Sequence, residues 1–114
     1  PSVQVIAVEP ADSPLLSKGH AGPHKLQGIG ANFIPETLDK TIYDEVYPVT
    51  TDEAYKAAQA FTKAEGLLIG ISGGAALHAA VEIAKRKENA GKTIVAVLPD
   101  NGDRYLSTPG FIEL

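Results

Sequence analysis

The chain has 114 residues, 44% of them hydrophobic, which predicts one folded domain and not a disordered chain. Its net charge of −4 excludes a basic surface for nucleic acid or anionic membrane, and the absence of cysteine excludes disulfides and thiolate metal sites. Because no apolar run approaches the roughly 20 residues that cross a bilayer, and no signal peptide precedes the first predicted strand, we expect a cytoplasmic protein without membrane contact.

Two predicted strands and a long loop make up the first part of the chain. Residues 3–8 are rich in β-branched side chains and predict a strand that Pro10 ends. Residues 10–36 are rich in proline and glycine without a sustained period, and a loop of this length within a domain is usually functional. Residues 42–49 alternate weakly and predict a second strand, in which Pro48 indicates an edge position.

A helix is predicted directly after the second strand. Thr50 and Glu53 form a capping-box pattern that marks its start, and Gly66 marks its end. Apolar residues at helical spacing define the face that we expect to meet the core: Ala54, Ala57, Ala58, Phe61 and Ala64.

Two apolar runs bracket a second helical segment. Residues 67–71 are a continuous apolar stretch, as is typical of a strand buried on both faces, and residues 93–98 predict the last strand. A helix from about Gly74 to Asn89 is predicted between them, with His78 on a solvent-facing polar stripe. We expect the inward face of this helix to hold Leu77, Ala80, Val81 and Ala84. The alternation predicts an α/β fold over residues 1–114, a mostly parallel sheet with flanking helices.

The most informative stretch is residues 66–74, where an apolar run ends at Ser72 and a helical pattern begins. Ligands of open α/β sheets bind beyond the carboxyl ends of the strands, and a helix start offers unpaired N–H groups. Ser72 is therefore a candidate binding residue, although an ordinary N-cap serine gives the same pattern. Residues 70–74 also match the nucleophile elbow of serine hydrolases, but no histidine follows Asp100 or Asp103 to complete a triad.

A second candidate site is the glycine-rich loop at residues 22–30. Gly28, Ile29 and Gly30 resemble the start of a dinucleotide-binding fingerprint, but residue 33 is phenylalanine where that motif has glycine. A loop that closes on a small ligand is the better interpretation, and an ordinary surface loop is the alternative. The histidines of the chain lack metal-ligand spacing, so we predict no metal site.

Several segments together carry a family resemblance. They are residues 22–35, 66–75 and 103–108, and the pair Val8-Glu9-Pro10 with Asp12-Ser13-Pro14. In this order, and over almost the whole chain, they resemble the cysteine synthases, also called O-acetylserine sulfhydrylases. The related cystathionine β-synthases share the Gly-Ile-Gly and Ile-Ser signatures, but residues 24–27 are closer to the cysteine synthases.

The resemblance implies a pyridoxal-phosphate enzyme of fold-type II, with this chain as the C-terminal portion of its large domain. It implies that Ser72 hydrogen-bonds the pyridine nitrogen of pyridoxal 5′-phosphate, and that Gly28, Ile29 and Gly30 form a loop facing cofactor and substrate. A neutral hydroxyl near a helix N-terminus does not stabilise a protonated pyridinium, which suits elimination at the β-carbon. The family usually has a second serine where this chain has Gly73.

The implied reaction makes L-cysteine from O-acetylserine and sulfide by β-replacement through an aminoacrylate. The family's Schiff-base lysine, substrate loop and phosphate cradle have no counterpart in these residues, and Lys25 aligns with a loop position. We therefore assign no catalytic residue and expect this fragment to be inactive alone. The resemblance further implies a cytoplasmic homodimer of the full-length enzyme and a groove for the C-terminal tail of serine acetyltransferase. The alternatives are a small non-catalytic α/β module and a related β-replacing enzyme such as cystathionine β-synthase.

Overall fold

The computed structural model of the protein describes residues 3–108 and residue 111. It is α/β, with parallel strands and flanking helices. Its elements are strand β1 (Ile6–Pro10), the one-turn helix α1 (Leu15–Lys18), strand β2 (Glu45–Val49), helix α2 (Thr51–Glu65) and helix α3 (Ile71–Ala84), with 3₁₀ turns at Lys87–Asn89 and Asp103–Tyr105. Within the described residues no helix is both long and apolar enough to cross a membrane.

Strands β1 and β2 pair in parallel, from Ile6 opposite Glu45 to Pro10 opposite Val49. The first strand therefore begins later than predicted and includes Pro10, which is tolerated because a strand end needs no further N–H donor. The described sheet has two strands, so each of them has a single neighbour there. The fully buried Val49 ends β2 and places the start of α2 against the core.

Both ends of α2 lie where the sequence predicts them. Thr50 Oγ1 accepts a hydrogen bond from the Glu53 backbone N–H at 3.1 Å, and Glu53 Oε1 accepts one from the Thr50 N–H at 2.9 Å. Gly66 adopts a left-handed φ of 71° and closes the helix. These boundaries follow from local hydrogen bonds, which is why sequence alone predicts them.

Helix α3 begins at Ile71, before the predicted Gly74, and ends at Ala84. Its predicted inward face was wrong in part: Leu77 packs against the core, but Val81 and Ala84 are exposed. A Cβ atom built on Gly74 would lie only 2.2 Å from the backbone oxygen of Ala54 in α2. This close approach of the two helices turns another face inward. Its buried residues are Ile71, Ser72, Gly73, Gly74, Ala75, Ala79 and Ile83.

The apolar runs at residues 67–71 and 93–98 do not form the predicted strands. Their one pairing within the described residues is an isolated antiparallel bridge between Ile69 and Asn101. Val95 is 85% exposed, so the second run is not buried. A strand of a parallel sheet requires neighbours that complete its hydrogen bonds, and in the part of the chain that the structure describes β1 and β2 pair only with each other.

The core lies between α2, α3, the end of β2 and the loops that cover them. On α2, Ala54 and Ala58 are buried as predicted, whereas Ala64 in the last turn is exposed. The buried cluster consists of Leu26, Val49, Ala54, Ala58, Ile69, Ile71, Ala75, Ala79, Tyr105 and Phe111. Leu26 belongs to it, so the glycine-rich loop is anchored in the same core as the start of α3.

Candidate functional site

Ser72 lies in the first turn of α3 and is 8% exposed. The N-cap of this helix is Gly70, and no side chain forms a capping hydrogen bond there. Among the described residues, no hydrogen bond involves the Ser72 hydroxyl. A largely buried hydroxyl without a protein partner is suited to bind a group that the chain itself does not contain.

The glycine-rich loop approaches Ser72 directly. Gly28 has a φ of +97°, and a Cβ atom built on it would lie 3.7 Å from Ser72 Oγ and 3.9 Å from Ser72 Cβ. Ile29 packs against the core cluster and fixes the middle of the loop. The structure thus brings together the two segments that sequence reasoning selected separately.

Gly30 holds the far end of this loop against the end of β1. Its φ is +62°, and a Cβ atom there would lie 2.5 Å from Pro10 Cγ and 2.7 Å from His24 Nε2. Both the backbone conformation and the crowding exclude any larger residue. The position of the loop is therefore set by Pro10 and His24, two residues that lie in segments carrying the family resemblance but to which the sequence assigned no role.

A buried hydroxyl joins the two ends of the longer loop. Ser13 is 1% exposed. Its Oγ donates a hydrogen bond to Asn32 Oδ1 at 2.5 Å and accepts one from the Gly22 N–H at 3.2 Å. Asn32 is the one non-glycine residue with a positive φ in the described backbone. Sequence reasoning missed this anchor, although its residues lie in the matching segments at residues 12–14 and 22–35.

Glu9 at the end of β1 is a buried carboxylate, 4% exposed. It accepts hydrogen bonds from the Leu16 N–H at 2.8 Å, the Ser17 N–H at 3.0 Å and the Ser17 hydroxyl at 2.5 Å. These donors satisfy the charge and hold α1 in place. Glu9 therefore has a structural role, in which it holds α1 against the end of β1.

A cavity of about 500 Å³ lies beside the loop. Residues 28–30 line it together with α1 and the end of β1, but Ser72 is not among its lining residues. The complete lining is Val8, Glu9, Ser13, Leu15, Leu16, Gly28, Ile29, Gly30, Ala31, Asn32, Phe33, Pro35 and Leu38. Its walls are mostly apolar, so the polar chemistry of the site lies on the Ser72 side of the loop.

The start of α3 is held by the turn that contains Asp100. The Gly70 N–H donates to the Asp100 backbone oxygen at 3.2 Å, and the Tyr105 hydroxyl donates to Asp100 Oδ2 at 2.8 Å. A Cβ atom on Gly70 would collide with the Asp100 carboxylate. Asp100 thus packs against the helix start and positions the turn on which Ser72 lies.

His78 occupies a different position from the predicted solvent-facing stripe. Its side chain is 18% exposed, with Nε2 3.2 Å from Glu53 Oε2, and its ring meets Tyr47 edge-on at 6.3 Å. The reason is the rotation of α3 toward α2, which carries His78 into the interface. His78 thus serves the packing of α3 on α2, and nothing in its contacts supports a hydrolase triad. In the described part of the chain, no group of three potential metal ligands occurs.

Comparison with known proteins gives consistent matches. Residues 1–100 match the family of pyridoxal-phosphate dependent enzymes. A cysteine synthase of Staphylococcus aureus is 53% identical over 109 residues, which are 96% of this chain and 35% of that protein. This chain therefore spans about a third of the length of the curated relatives it matches.

Solved structures agree with these matches. A cysteine synthase from Entamoeba histolytica superposes with a TM-score of 0.92 at 46% identity, over 96% of this chain and 32% of that one. The O-acetyl serine sulfhydrylase isoform 3 of the same organism gives 0.93 at 49% identity, over 97% and 34%. These neighbours are fold-type II enzymes, and the chain belongs to the pyridoxal-phosphate dependent enzyme family.

Proposed function

We propose that this chain is part of a cysteine synthase that makes L-cysteine from O-acetylserine and sulfide by β-replacement. The similarity to enzymes of that name supports the reaction class. The observation that carries the proposal is the approach of Gly28 to Ser72, because it joins both family signatures around one largely buried hydroxyl that has no hydrogen bond within the described residues.

The residues at this place fit pyridoxal 5′-phosphate. A pyridine nitrogen accepts one hydrogen bond, and the Ser72 hydroxyl is a neutral donor in the first turn of a helix. Gly28 leaves the space beside that hydroxyl free of a side chain. The positive end of the α3 dipole and the neutral serine both disfavour a proton on the ring nitrogen. When bound, the cofactor supplies the electron sink for eliminating a leaving group from the β-carbon of an amino acid.

The chain's own residues have distinct roles in this proposal. Ser72 orients the cofactor ring through its hydroxyl. Gly28, Ile29 and Gly30 form the wall beside it, where Gly28 permits close approach and Ile29 anchors the wall in the core. Asp100 holds the helix start from which Ser72 projects. No residue of this chain is assigned to proton transfer.

We further propose that residues 1–114 form part of one α/β domain, and that the lysine and phosphate cradle of the family lie elsewhere in the enzyme. The length of the relatives supports this. So does the exposure of Ile94, Val95 and Val97, apolar residues that a larger sheet would cover. Activity then requires the complete enzyme.

The partners proposed for the complete enzyme are a second copy of itself and the C-terminal tail of serine acetyltransferase, in the cytoplasm. The exposure of Phe33 (63%) and Ile34 (40%), which follow the glycine-rich loop, supports the tail contact, because apolar loop residues suit a peptide groove. The homodimer and the cytoplasmic location rest on the family resemblance.

The test replaces Ser72 in the complete enzyme and measures pyridoxal-phosphate affinity and cysteine formation. Ser72→Ala should weaken cofactor binding by the value of one neutral hydrogen bond, on the order of 0.5–1.5 kcal/mol, with an unchanged fold. Ser72→Asp should protonate the ring nitrogen and favour transamination as a side reaction. Ser107→Ala is the matched control, since Ser107 is exposed.

Two results would contradict the proposal. One is a Ser72→Ala enzyme whose cofactor affinity equals that of the parent. The other is a complete enzyme that uses homocysteine and not sulfide, which would favour the cystathionine β-synthase alternative.

A further inference from the structure

We infer that His24 is a positioning residue that holds the Gly28–Gly30 loop beside Ser72, as a neutral imidazole with its proton on Nε2. The connection to the cofactor rests on the proposed function. The hydrogen-bonding state of the imidazole does not, because it follows from contacts within the chain.

The two partners of the imidazole determine its tautomer. His24 Nε2 lies 2.7 Å from the Gly30 backbone oxygen. A carbonyl oxygen only accepts hydrogen bonds, so Nε2 must carry the proton. The Leu26 N–H points at His24 Nδ1 from 3.1 Å, and a backbone N–H only donates, so Nδ1 must be unprotonated. Only the neutral Nε2–H tautomer satisfies both contacts.

These partners lie on either side of the residues that approach the cofactor site. Leu26 is completely buried, so its N–H is a fixed point in the core. Gly30 closes the segment, and Ile29 N–H bonds weakly back to the Leu26 oxygen at 3.4 Å. The imidazole therefore connects a rigid anchor to the end of the loop, and Gly28 lies between the two.

The close packing of His24 against Gly30 leaves room only for a flat ring at this position. Gly30 has a φ of +62°, and a Cβ atom there would lie 2.7 Å from His24 Nε2. The ring thus lies directly against the Gly30 backbone. None of the hydrogen bonds of His24 involves Ser72, so His24 acts through Gly30 and Gly28.

The first test reads the tautomer directly. Histidine-selective ¹⁵N labelling of the complete protein, with His24 assigned by its loss in His24→Gln, gives the protonation state of each ring nitrogen. We expect a neutral ring with the proton on Nε2 and an acceptor at Nδ1. A proton on Nδ1 at neutral pH would overturn the inference. This result does not depend on what the enzyme binds.

The second test separates the two hydrogen bonds with three variants. His24→Gln can retain the donor toward Gly30, His24→Asn the acceptor toward Leu26, and His24→Leu neither. His20→Leu is the control, because His20 is an exposed histidine in the longer loop of residues 10–36. The readouts are the KM for O-acetylserine, the emission spectrum of the bound cofactor and hydrogen exchange at the Ile29 amide, which donates to the Leu26 oxygen.

We expect His24→Leu to raise KM on the order of tenfold, the upper value for one hydrogen bond, with faster exchange at the Ile29 amide. His24→Gln should recover most of this loss. A merely structural role predicts equal losses of thermal stability in all three variants with unchanged KM and spectrum, and that result would overturn the inference. If the parent enzyme itself bound no pyridoxal phosphate, the proposed function would fail, while the tautomer and the exchange at the Ile29 amide would still decide the role of His24.

Discussion

Gly28 and Ser72 lie so close that a methyl group on Gly28 would touch the Ser72 hydroxyl at 3.7 Å. The contact joins a loop that follows β1 to the first turn of α3. It fixes the loop beside the N-terminus of the helix. Because Gly28 has no side chain, the space beside the Ser72 hydroxyl stays open.

Gly28→Ala should impair both stability and cofactor binding. Its φ of +97° strains any L-residue, at a cost on the order of 1–2 kcal/mol, and the added methyl enters the space beside Ser72. Gly66→Ala is the control, because Gly66 has a φ of +71° with nothing within 4 Å of a Cβ atom. We expect both variants to melt at lower temperature and only Gly28→Ala to weaken pyridoxal-phosphate binding. Equal cofactor affinities would contradict the prediction.

Gly73 and Gly74 are neighbours in α3 that should respond oppositely to alanine. A Cβ atom on Gly74 would lie 2.2 Å from the Ala54 oxygen, so Gly74→Ala must push α2 and α3 apart, at about 1–3 kcal/mol. A Cβ atom on Gly73 would meet Ile69 Cβ at an ordinary 3.6 Å. Gly73→Ala should then gain up to about 1 kcal/mol from helix propensity. Urea unfolding measures both, and a destabilised Gly73→Ala would show that the helix start is more crowded than described.

Thr50→Ala should destabilise the protein by about 1 kcal/mol. The change removes the acceptor for the Glu53 N–H at the start of α2. Thr50→Ser keeps the hydroxyl and should retain most of the stability. Thermal unfolding compares the variants, and an Ala variant as stable as the Ser variant would mean that the capping box contributes nothing.

Glu45 and Arg86 should make stability depend on pH in the acid range. Arg86 donates to both carboxylate oxygens, at 2.8 and 2.7 Å, and these hydrogen bonds lower the pKa of Glu45 below its ordinary value of 4.5. The stabilisation is therefore complete above that value and is lost as the pH falls through the folded-state pKa.

The measurement compares the parent with Glu45→Gln by urea unfolding from neutral to acid pH. The difference between their free energies of unfolding should be constant near neutrality and shrink in acid. Because Glu53, whose pKa is lowered by its bond to the Thr50 N–H, is present in both proteins, its contribution cancels. If the difference in the free energy of unfolding did not change with pH, Glu45 would not be the source of the acid dependence of stability.

Local patterns predicted the parts of the fold that depend on local contacts. The capping box at Thr50 and the end of α2 at Gly66 are hydrogen-bonded within a few residues, so the sequence contains all the information they need. The prediction of the inward face of α3 was wrong at Val81 and Ala84. The close contact of Gly74 with Ala54 sets the orientation of the helix, and hydropathy does not reveal such steric contacts. The prediction of a strand at residues 93–98 was wrong, because a strand forms only where another strand is present to pair with it, and the local sequence does not show that.

The candidate site divides in the same way. Ser72 and Gly28 were selected because they belong to recognisable motifs. His24, Ser13 and Asn32 lie in segments that carry the family resemblance, but their roles were not predicted, because these depend on contacts that only the folded loop creates. Motifs select the groups that face a ligand, whereas the groups that support them require the structure.

The exposed run at residues 93–98 has a consequence for handling the protein. It is six uncharged residues rich in valine and isoleucine, without proline, and such segments stack readily into cross-β assemblies. Lys92 and Pro99 flank it and act as gatekeepers against that association. Any preparation in which no strand covers this run is therefore prone to aggregate. The solubility of the preparation then indicates whether a neighbouring strand pairs with the run.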